Sequence, residues 1–239
     1  MNPWGFLYMR KISVVHPSRS RSEIAIKVLL NWYHKAEYEF EYILAIDSDD
    51  PQLRQYTNHL GIFDREYEVQ SKCIIGEHRS AIHAINEAAK HATGDIIIVI
   101  SDDFDCLIGW DSLLIKSLEG KEDFCVKTKD GIQPVLMTLP ILDRKYYERF
   151  GYIYHPDYIH MGCDVELTAV AMMTGKAIFL DLVFPHNHYS TGKFVKDAIS
   201  IRNDKSYRHG DQVLKEHLRT NFGIEKPVMK YSDIKWHPK

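Results

Sequence analysis

A cluster of carboxylates follows an apolar run near the middle of the sequence. The run IIIVI ends at Ile100, and Asp102, Asp103 and Asp105 come directly after it. A single carboxylate could cap a following helix, a role open to Asp105 or Asp111. Three neighbouring negative charges repel one another unless a cation offsets them, and such oxygen clusters suit hard divalent ions such as Mg²⁺ and Mn²⁺. The segment therefore indicates a divalent metal site, with a spacing unlike that of an EF-hand calcium loop.

Two histidines and a second pair of carboxylates could take part in the same chemistry. His186 and His188 follow the apolar run FLDLVF, and alternate residues of an extended segment face the same side. Neutral imidazole binds Mn²⁺-type ions well, although polar loop residues are the simpler interpretation of any single histidine. Asp164 and Glu166 lie where a helix should begin. A carboxylate at this position could stabilise the helix by interacting with its dipole, or it could stay ionised and act as a general base.

Charged segments also follow two other apolar runs. The segment HPSRSR places Arg19 and Arg21 after the first run, and guanidinium groups match phosphate oxygens. It lacks both the P-loop and the GxGxxG pattern, which argues against P-loop ATPases and dinucleotide dehydrogenases. The segment AIDSDD supplies Asp47 and Asp49, which could accept hydrogen bonds from a nucleotide base or ribose, or could simply form a turn.

The first hundred residues alternate short apolar runs with helical periodicity. Strands are predicted at 12–15, 42–46, 73–75 and 95–100. Helices are expected between them, with Ser22 as the N-cap of the first and Gly94 as a left-handed C-cap before the fourth strand. This order predicts a mostly parallel sheet with right-handed crossovers, in which ligands bind beyond the carboxyl ends of the strands. The charged segments all lie at those ends.

The second half is less regular. A strand is predicted at 134–140, a short helix closed by glycine at 143–151, and a helix, glycine turn and strand over 165–184. One further helix is expected near Gln212–Thr220. No repeat or low-complexity linker divides the chain, so a single continuous domain is expected.

Composition excludes several classes of protein. The net charge of −3 over 239 residues gives no global attraction to nucleic acid or an anionic membrane. The four cysteines are far apart and form no CxxC pair, which favours a reducing compartment and disfavours a structural zinc site. We expect no signal peptide in the first residues and no membrane span, so the expected location is the cytoplasm.

Taken in order, these segments resemble the family 2 glycosyltransferases of the GT-A fold over roughly residues 11 to 195. The markers are HPSRSR, AIDSDD, the arginine, helix and TGD turn of HRSAIHAINEAAKHATGD, the DXD-like IIIVISDDFD followed by IGWD, CDVELTAVAMMTGK, and HNHYSTGK. The resemblance implies an α/β, Rossmann-like, mostly parallel central sheet flanked by helices. It implies a GT-A domain over 1–200, with a nucleotide-sugar-binding half at 12–107, an acceptor and catalytic half at 108–200, and a helical or extended tail at 201–239.

The resemblance also implies roles for individual residues. Asp164 would be the catalytic base, Asp47 would contact the nucleotide base, and Asp103 would be the principal metal ligand, assisted by Asp102 or Asp105. The further metal ligand would be a histidine, with His188 preferred over His186. The complete implied sets are Pro17, Ser18, Arg19, Arg21, Asp47, Asp49, Arg79 and Asp102 for the donor, and Asp103, Asp105, His186 and His188 for the metal. Ser101 and Cys163 stand where many family members carry acidic residues.

The implied activity is transfer of a hexose from a nucleoside-diphosphate sugar, preferably a UDP-sugar, to an acceptor hydroxyl with inversion, using Mn²⁺ or Mg²⁺. Polysaccharide biosynthesis is the implied setting, with a carbohydrate or another hydroxyl compound as acceptor. Two alternatives remain open at this point. One is a nucleotidyltransferase on a related fold, and the other is a catalytically silent sugar-binding protein, which Ser101 and Cys163 would permit.

Overall fold

Seven strands form one sheet in the computed structural model, which describes residues 10–236. The strands are β1 (Ile12–Pro17), β2 (Glu41–Asp47), β3 (Lys72–Gly76), β4 (Ile96–Val99), β5 (Cys125–Lys129), β6 (Ile141–Asp143) and β7 (Ala177–Val183). Their order in the sheet is β3-β2-β1-β4-β6-β5-β7. Strand β6 pairs antiparallel with both of its neighbours, and the other pairings are parallel. The mostly parallel α/β sheet expected from the sequence is therefore confirmed.

Eight α-helices cover this sheet within residues 10–236. They are α1 (Ser22–Lys35), α2 (Leu53–Glu66), α3 (Ala81–Ala89), α4 (Trp110–Ser117), α5 (Arg144–Phe150), α6 (Cys163–Met173), α7 (Ala198–Asp204) and α8 (Tyr207–Arg219). No helix in this part of the chain is long and apolar enough to cross a membrane. The N-terminal segment, where no signal peptide is expected, lies outside the described residues.

Strand β4 is buried on both faces because it separates two hydrophobic cores. Ile96 and Ile98 face a core that includes residues of α1, α2 and α4, while Ile97 and Val99 face a core that includes residues of α3, α5, α6 and α8. Successive side chains of a strand point to opposite faces, so a strand covered on both sides needs apolar residues throughout. This is why the run at 95–100 is continuous rather than alternating.

The segment at 134–140 is a loop, so the strand predicted there is wrong. Its apolar residues are buried without joining the sheet: Met137 and Leu139 are at most 2% exposed. Asp130 organises the loop, since its Oδ1 accepts hydrogen bonds from the backbone N–H groups of Ile132 (2.8 Å) and Gln133 (2.7 Å). The sheet strands are instead β5 and β6, which flank the loop.

Two capping predictions are also wrong. Arg21 occupies the N-cap position of α1, and the Ser22 hydroxyl donates to Gln55 Oε1 at 3.0 Å. Helix α3 ends at Ala89, well before Gly94. Glycine is required at Gly94 for a different reason, because a Cβ atom there would lie 2.6 Å from the backbone nitrogen of Ser13. The residue lets the turn before β4 approach β1 closely.

The other second-half elements are confirmed. Helix α5 ends at Gly151 in the left-handed region (φ 71°), and α6 is joined to β7 by a turn through Gly175 (φ 70°). Helix α8 begins five residues before the predicted start at Gln212 and buries Val213 in the core shared with α3, α5 and α6. The C-terminal segment is thus packed against the sheet domain.

Candidate active site

A cleft of about 410 Å³ opens at the carboxyl ends of β1, β2 and β4. Residues from both halves of the chain line it. The predicted site residues that it contains are Pro17, Ser18, Arg19, Arg21, Asp47, Asp102, Asp103, Asp164, His186 and His188. Ligand binding beyond the carboxyl ends of parallel strands is the general rule for such sheets. Three predicted site residues, Asp49, Arg79 and Asp105, do not line this cleft.

Asp103 and His186 face each other in the cleft. His186 Nε2 lies 3.2 Å from Asp103 Oδ2, and Ser101 donates to Asp103 Oδ1 at 2.5 Å. Burial opposes ionisation of Asp103, but the hydrogen bond and charge of His186 and the Ser101 hydroxyl outweigh it and lower the pKa of Asp103. The Ser101 hydroxyl therefore orients Asp103.

Backbone hydrogen bonds join the segment after β4, which carries Asp103, to the segment after β7, which carries His186. Asp105 N donates to Pro185 O (2.9 Å), Asn187 N donates to Asp103 O (2.7 Å), and Phe104 forms an isolated antiparallel bridge with His186. The Phe104 and His186 rings are also stacked, with centroids 4.2 Å apart. The segment after β7 is therefore fastened to the carboxylate cluster, and this fixes the distance from His186 to Asp103.

His188 lies farther along the same wall of the cleft. Its ring centroid is 5.1 Å from that of His186, and its Nδ1 contacts Ser190 Oγ at 2.8 Å. Burial and the neighbouring His186 lower the pKa of His188, which favours the neutral imidazole. In this geometry His186, rather than the preferred His188, is the histidine paired with Asp103.

Asp102 points away from Asp103, into the protein. It is 6% exposed, and its carboxylate contacts His16 Nε2 and the Ser18 hydroxyl, each at 3.0 Å. Arg21 Nη1 lies 3.4 Å away on the same carboxylate. Asp102 thus joins the end of β4 to the end of β1 and shapes the cleft wall.

The donor-side arginines are already paired with carboxylates. Arg19 is hydrogen-bonded to Asp47 and to Asp49, the latter at 2.6 Å. Asp47 also contacts His78 Nδ1 at 2.9 Å. Arg21 makes a bidentate pair with Asp197 at 2.6 and 2.7 Å, which ties the cleft to the segment that begins α7. A phosphate that binds either arginine must compete with these pairs.

The three residues outside the cleft have identifiable partners or positions. Asp105 turns toward α1, where Lys35 Nζ (2.7 Å) and Asn31 Nδ2 (2.6 Å) contact its Oδ1. Asp49 is exposed beside Arg19. Arg79 is exposed, and the preceding residue, His78, is the one that reaches Asp47. The structure therefore does not bring Asp105 to Asp103 and His186.

Asp164 lies across the cleft in the first turn of α6. Its Oδ1 accepts a hydrogen bond from Val165 N at 3.0 Å. Burial raises the pKa of Asp164, although this backbone hydrogen bond and the charges of His186 and Lys127 act in the opposite direction. A carboxylate with a raised pKa is a stronger base while it remains ionised at neutral pH.

Several cleft residues carried no signal in the sequence. His160 lines the cleft with a buried Nδ1 that has no hydrogen-bond partner in the described part of the chain, and burial lowers the pKa of His160. Gln133 and Thr138 enter from the loop organised by Asp130, and Arg202 enters from α7. These residues belong to irregular or late segments, where neither periodicity nor a motif marks them. From residue type, Tyr152, Tyr154, Tyr158 and Trp110 could stack on a sugar face or pack in the core, and among these four Tyr154 alone lines the cleft as described over residues 10–236.

A family model named glycosyl transferase family 2 matches residues 13–165. This chain belongs to that family. A search of curated proteins finds no match. Among solved structures, the mannosyltransferase PcManGT from Pyrobaculum calidifontis, in complex with GDP-Man and Mn²⁺, has a TM-score of 0.65 and 18% identity, with 92% of this chain and 66% of that chain covered.

Two other solved structures have a similar fold. S. aureus TarS 1-349 in complex with UDP has a TM-score of 0.55 and 17% identity, over 90% of this chain and 72% of that one. Glucosyl-3-phosphoglycerate synthase from Mycobacterium tuberculosis, in complex with Mn²⁺, UDP and phosphoglyceric acid, has a TM-score of 0.55 and 14% identity, over 82% and 77% of the two chains. The family 2 chain described here spans 44% of a longer TarS structure. These likenesses confirm the GT-A fold.

The donor atoms of this family 2 chain fit a divalent ion. Adjacent ligands of an octahedral ion bound at about 2.1 Å lie about 3 Å apart. The separation of Asp103 Oδ2 from His186 Nε2, 3.2 Å, is close to that value. The buried Nδ1 of His186 has no hydrogen-bond partner among residues 10–236. Carboxylate with imidazole is a donor set that suits Mn²⁺.

Proposed function

We propose that this chain is a metal-dependent, inverting glycosyltransferase that moves a hexosyl group from a UDP-sugar to an acceptor hydroxyl. The observation that carries the proposal is the convergence of Asp103, His186 and Asp164, from three separate segments, on one cleft that also contains Asp47. A metal pair, a candidate base and a candidate nucleotide contact are the parts that this reaction needs.

The donor would lie over the ends of β1 and β2. Asp47 can accept a hydrogen bond from a base N–H, and Ser18 and Arg21 line the cleft between it and Asp103. Arg21 could bind phosphate by exchanging its contact with Asp197 for the diphosphate oxygens. The UDP in the TarS complex and the GDP-Man in the mannosyltransferase complex support a nucleotide or nucleotide sugar as the ligand.

Mn²⁺ or Mg²⁺ would be held by Asp103 and His186, with His188 beside them. A divalent ion in such a site neutralises charge on the departing nucleoside diphosphate. The Ser101 hydrogen bond to Asp103 would orient the carboxylate toward the ion, as an outer-shell partner does.

Asp164 would take the proton of the acceptor hydroxyl as that oxygen attacks the anomeric carbon. The bond from the anomeric carbon to the diphosphate oxygen breaks as the new glycosidic bond forms, so one displacement inverts the configuration. Because the base acts only when ionised, the rate should fall as the pH drops through the pKa of Asp164, which burial places above the ordinary carboxyl value.

The first test is a thermal-shift panel of UDP, GDP, ADP and CDP, each with and without Mn²⁺. Binding to the folded state raises the unfolding temperature by mass action, so the correct base gives the largest shift. We expect UDP with Mn²⁺ to give it. A larger shift with another nucleotide would overturn the choice of uridine, and no shift with any of them would favour a protein that does not use a nucleotide sugar.

The second test compares Asp103→Asn and Asp164→Asn with a matched control, Asp181→Asn, whose side chain is 83% exposed on β7. We expect Asp103→Asn to abolish the Mn²⁺-dependent shift, and Asp164→Asn to keep nucleotide binding but lose transfer. The control should match the wild type. Release of a nucleoside diphosphate supports sugar transfer, whereas release of pyrophosphate from a nucleoside triphosphate would identify a nucleotidyltransferase.

The proposal includes a cytoplasmic location and a role in polysaccharide biosynthesis. The four cysteines are free thiols, which supports a reducing setting. Fractionation of cells that produce the protein would test the location directly.

A further inference from the structure

A second group of metal-binding side chains lies outside the cleft. His155 and Asp157, in the turn before α6, meet His217 of α8, and one potential ligand atom from each lies within 4.8 Å of the others. None of the three lines the cleft that contains Asp103. We propose that these residues bind a Zn²⁺ ion that ties this turn to α8. The proposal does not rest on the function proposed above.

The two distances from Asp157 to the histidines are close to the edges of a zinc tetrahedron. His217 Nε2 lies 3.1 Å from Asp157 Oδ2, and His155 Nδ1 lies 3.7 Å from the same oxygen. Zinc binds nitrogen and carboxylate oxygen at about 2.0–2.2 Å, so the edges of its tetrahedron are about 3.4 Å long. The two observed distances lie on either side of that value. Two imidazoles and one carboxylate form a known zinc donor set, with water as the fourth ligand.

A second observation points to the same ligand. His217 Nδ1 contacts the carboxylate of Glu166 at 2.8 Å, and the Tyr158 hydroxyl donates to the same Glu166 oxygen at 2.7 Å. Histidines that bind metal through one nitrogen almost always donate the other N–H to a carboxylate, which fixes the tautomer and the ring orientation. Glu166 is 5% exposed and provides this support from a rigid helix.

The nature of the donors separates this site from the one in the cleft. Two nitrogens and a single carboxylate favour Zn²⁺ over Mg²⁺ and Mn²⁺, which prefer more oxygen ligands. The site is accessible, because the side chain of Asp157 is 60% exposed while those of His155 and His217 are 27% and 16% exposed. An ion could enter from the side of Asp157.

Zinc at this position would brace α6. Glu166 is two residues after Asp164, so the two side chains point to nearly opposite sides of the helix, about 200° apart. One lies in the cleft, and the other is bonded to His217. An ion on His217 would therefore hold the first turn of α6 through Glu166, and with it the position of Asp164.

The test measures zinc binding directly in the full chain after treatment with a chelator. Calorimetric titration with Zn²⁺, in excess Mg²⁺, would compare the wild type with Asp157→Asn and with a control, Asp211→Asn, an exposed carboxylate on α8 paired with Lys215. We expect Asp157→Asn to bind one zinc fewer than the control, or to bind it at least tenfold more weakly. Zinc should raise the unfolding temperature of the control more than that of Asp157→Asn.

Two further variants make the result decisive. His155→Gln should lose the same zinc as Asp157→Asn, and Asp103→Asn should keep it. Equal zinc binding by Asp157→Asn and Asp211→Asn would overturn the proposal. So would loss of the zinc in Asp103→Asn alone, since the ion would then belong to the cleft. Circular dichroism of the metal-free variants checks that each is folded before zinc is added.

Discussion

Replacing Gly210 with alanine tests whether α8 fixes the loop that leads into α6, the helix that carries the candidate base. A Cβ atom on Gly210 would lie 1.9 Å from the backbone oxygen of Met161. Ordinary contacts of a Cβ begin near 3.4 Å, so the two backbones would have to separate by about 1.5 Å. A rotamer change cannot relieve this contact, because one atom is a Cβ and the other is a backbone oxygen. Gly162, with φ 90°, packs against the same point of α8.

The expected effects follow from that displacement. Asp164 comes two residues after Gly162, so a shift of the loop moves the carboxylate relative to the nucleotide side of the cleft. A misplacement of about 1 Å can cost roughly 100-fold in rate. Overpacking costs about 1–3 kcal/mol of stability, and each kcal/mol lowers the unfolding temperature of a chain of this size by about 2–4 °C. Nucleotide affinity should stay unchanged, because β1 and β2 provide that side.

A matched control separates these effects from a general response to alanine. Gly61 lies inside α2, and a Cβ there meets nothing closer than Arg65 Nη1 at 3.6 Å. Gly61→Ala should stabilise the protein by about 0.5–1 kcal/mol and leave transfer unchanged. The assays are thermal unfolding, nucleotide binding and sugar transfer on both variants. A Gly210→Ala protein with the unfolding temperature and kcat of the wild type would refute the reasoning.

Three further predictions address single side chains. Burial opposes ionisation of Glu41, but hydrogen bonds led by that from Lys72 lower its pKa to about 2, so its stabilising effect should be lost as the pH falls from 4.5 to about 2. Glu41→Gln should lower the free energy of unfolding at pH 7 by up to about 3 kcal/mol. The free energy of unfolding should then fall less steeply between pH 4.5 and about 2, and an unchanged dependence on pH would contradict this. Asp197→Asn should tighten nucleoside diphosphate binding about 2–5-fold by freeing Arg21, and equal or weaker binding would argue against a phosphate role for that arginine. Asp105→Asn should leave Mn²⁺ binding unchanged, because its carboxylate is bonded to α1; loss of Mn²⁺ would place Asp105 in the metal site.

The regular part of the fold could be predicted because its residues have a clear periodicity. Strand β4 is apolar throughout, as a strand between two helical layers must be, and α6 and β7 are separated by a glycine in the left-handed region. The loop at 134–140 could not be predicted in this way. Its valine, leucines and methionine are as apolar as those of a strand, but the backbone N–H of Met137 donates to the Thr168 hydroxyl of α6, at 2.9 Å, instead of to a neighbouring strand.

The candidate site, like the fold, could be predicted from the sequence only in part. Motif order indicated which strand ends would meet, but not the direction of each side chain. Asp103 and Asp105 are two residues apart, yet Phe104 forms a bridge with His186 and the chain turns, so Asp105 faces α1. The alternation of His186 and His188 does place both rings in the cleft, 5.1 Å apart, but it could not show which of them pairs with Asp103. Single-residue roles depend on such local turns.

From the charges in the cleft we expect the proposed metal ion and nucleotide-sugar donor to bind together. Five carboxylates and three guanidinium groups line it, namely Asp47, Asp102, Asp103, Asp164 and Asp204 with Arg19, Arg21 and Arg202. Apart from its histidines the cleft is therefore negative, and an anionic diphosphate would be repelled from it. The divalent ion proposed at Asp103 and His186 would offset this negative charge beside the proposed diphosphate position. Nucleotide binding should consequently weaken far more on removal of metal than on loss of either Arg19 or Arg21, since each arginine is already neutralised by a carboxylate.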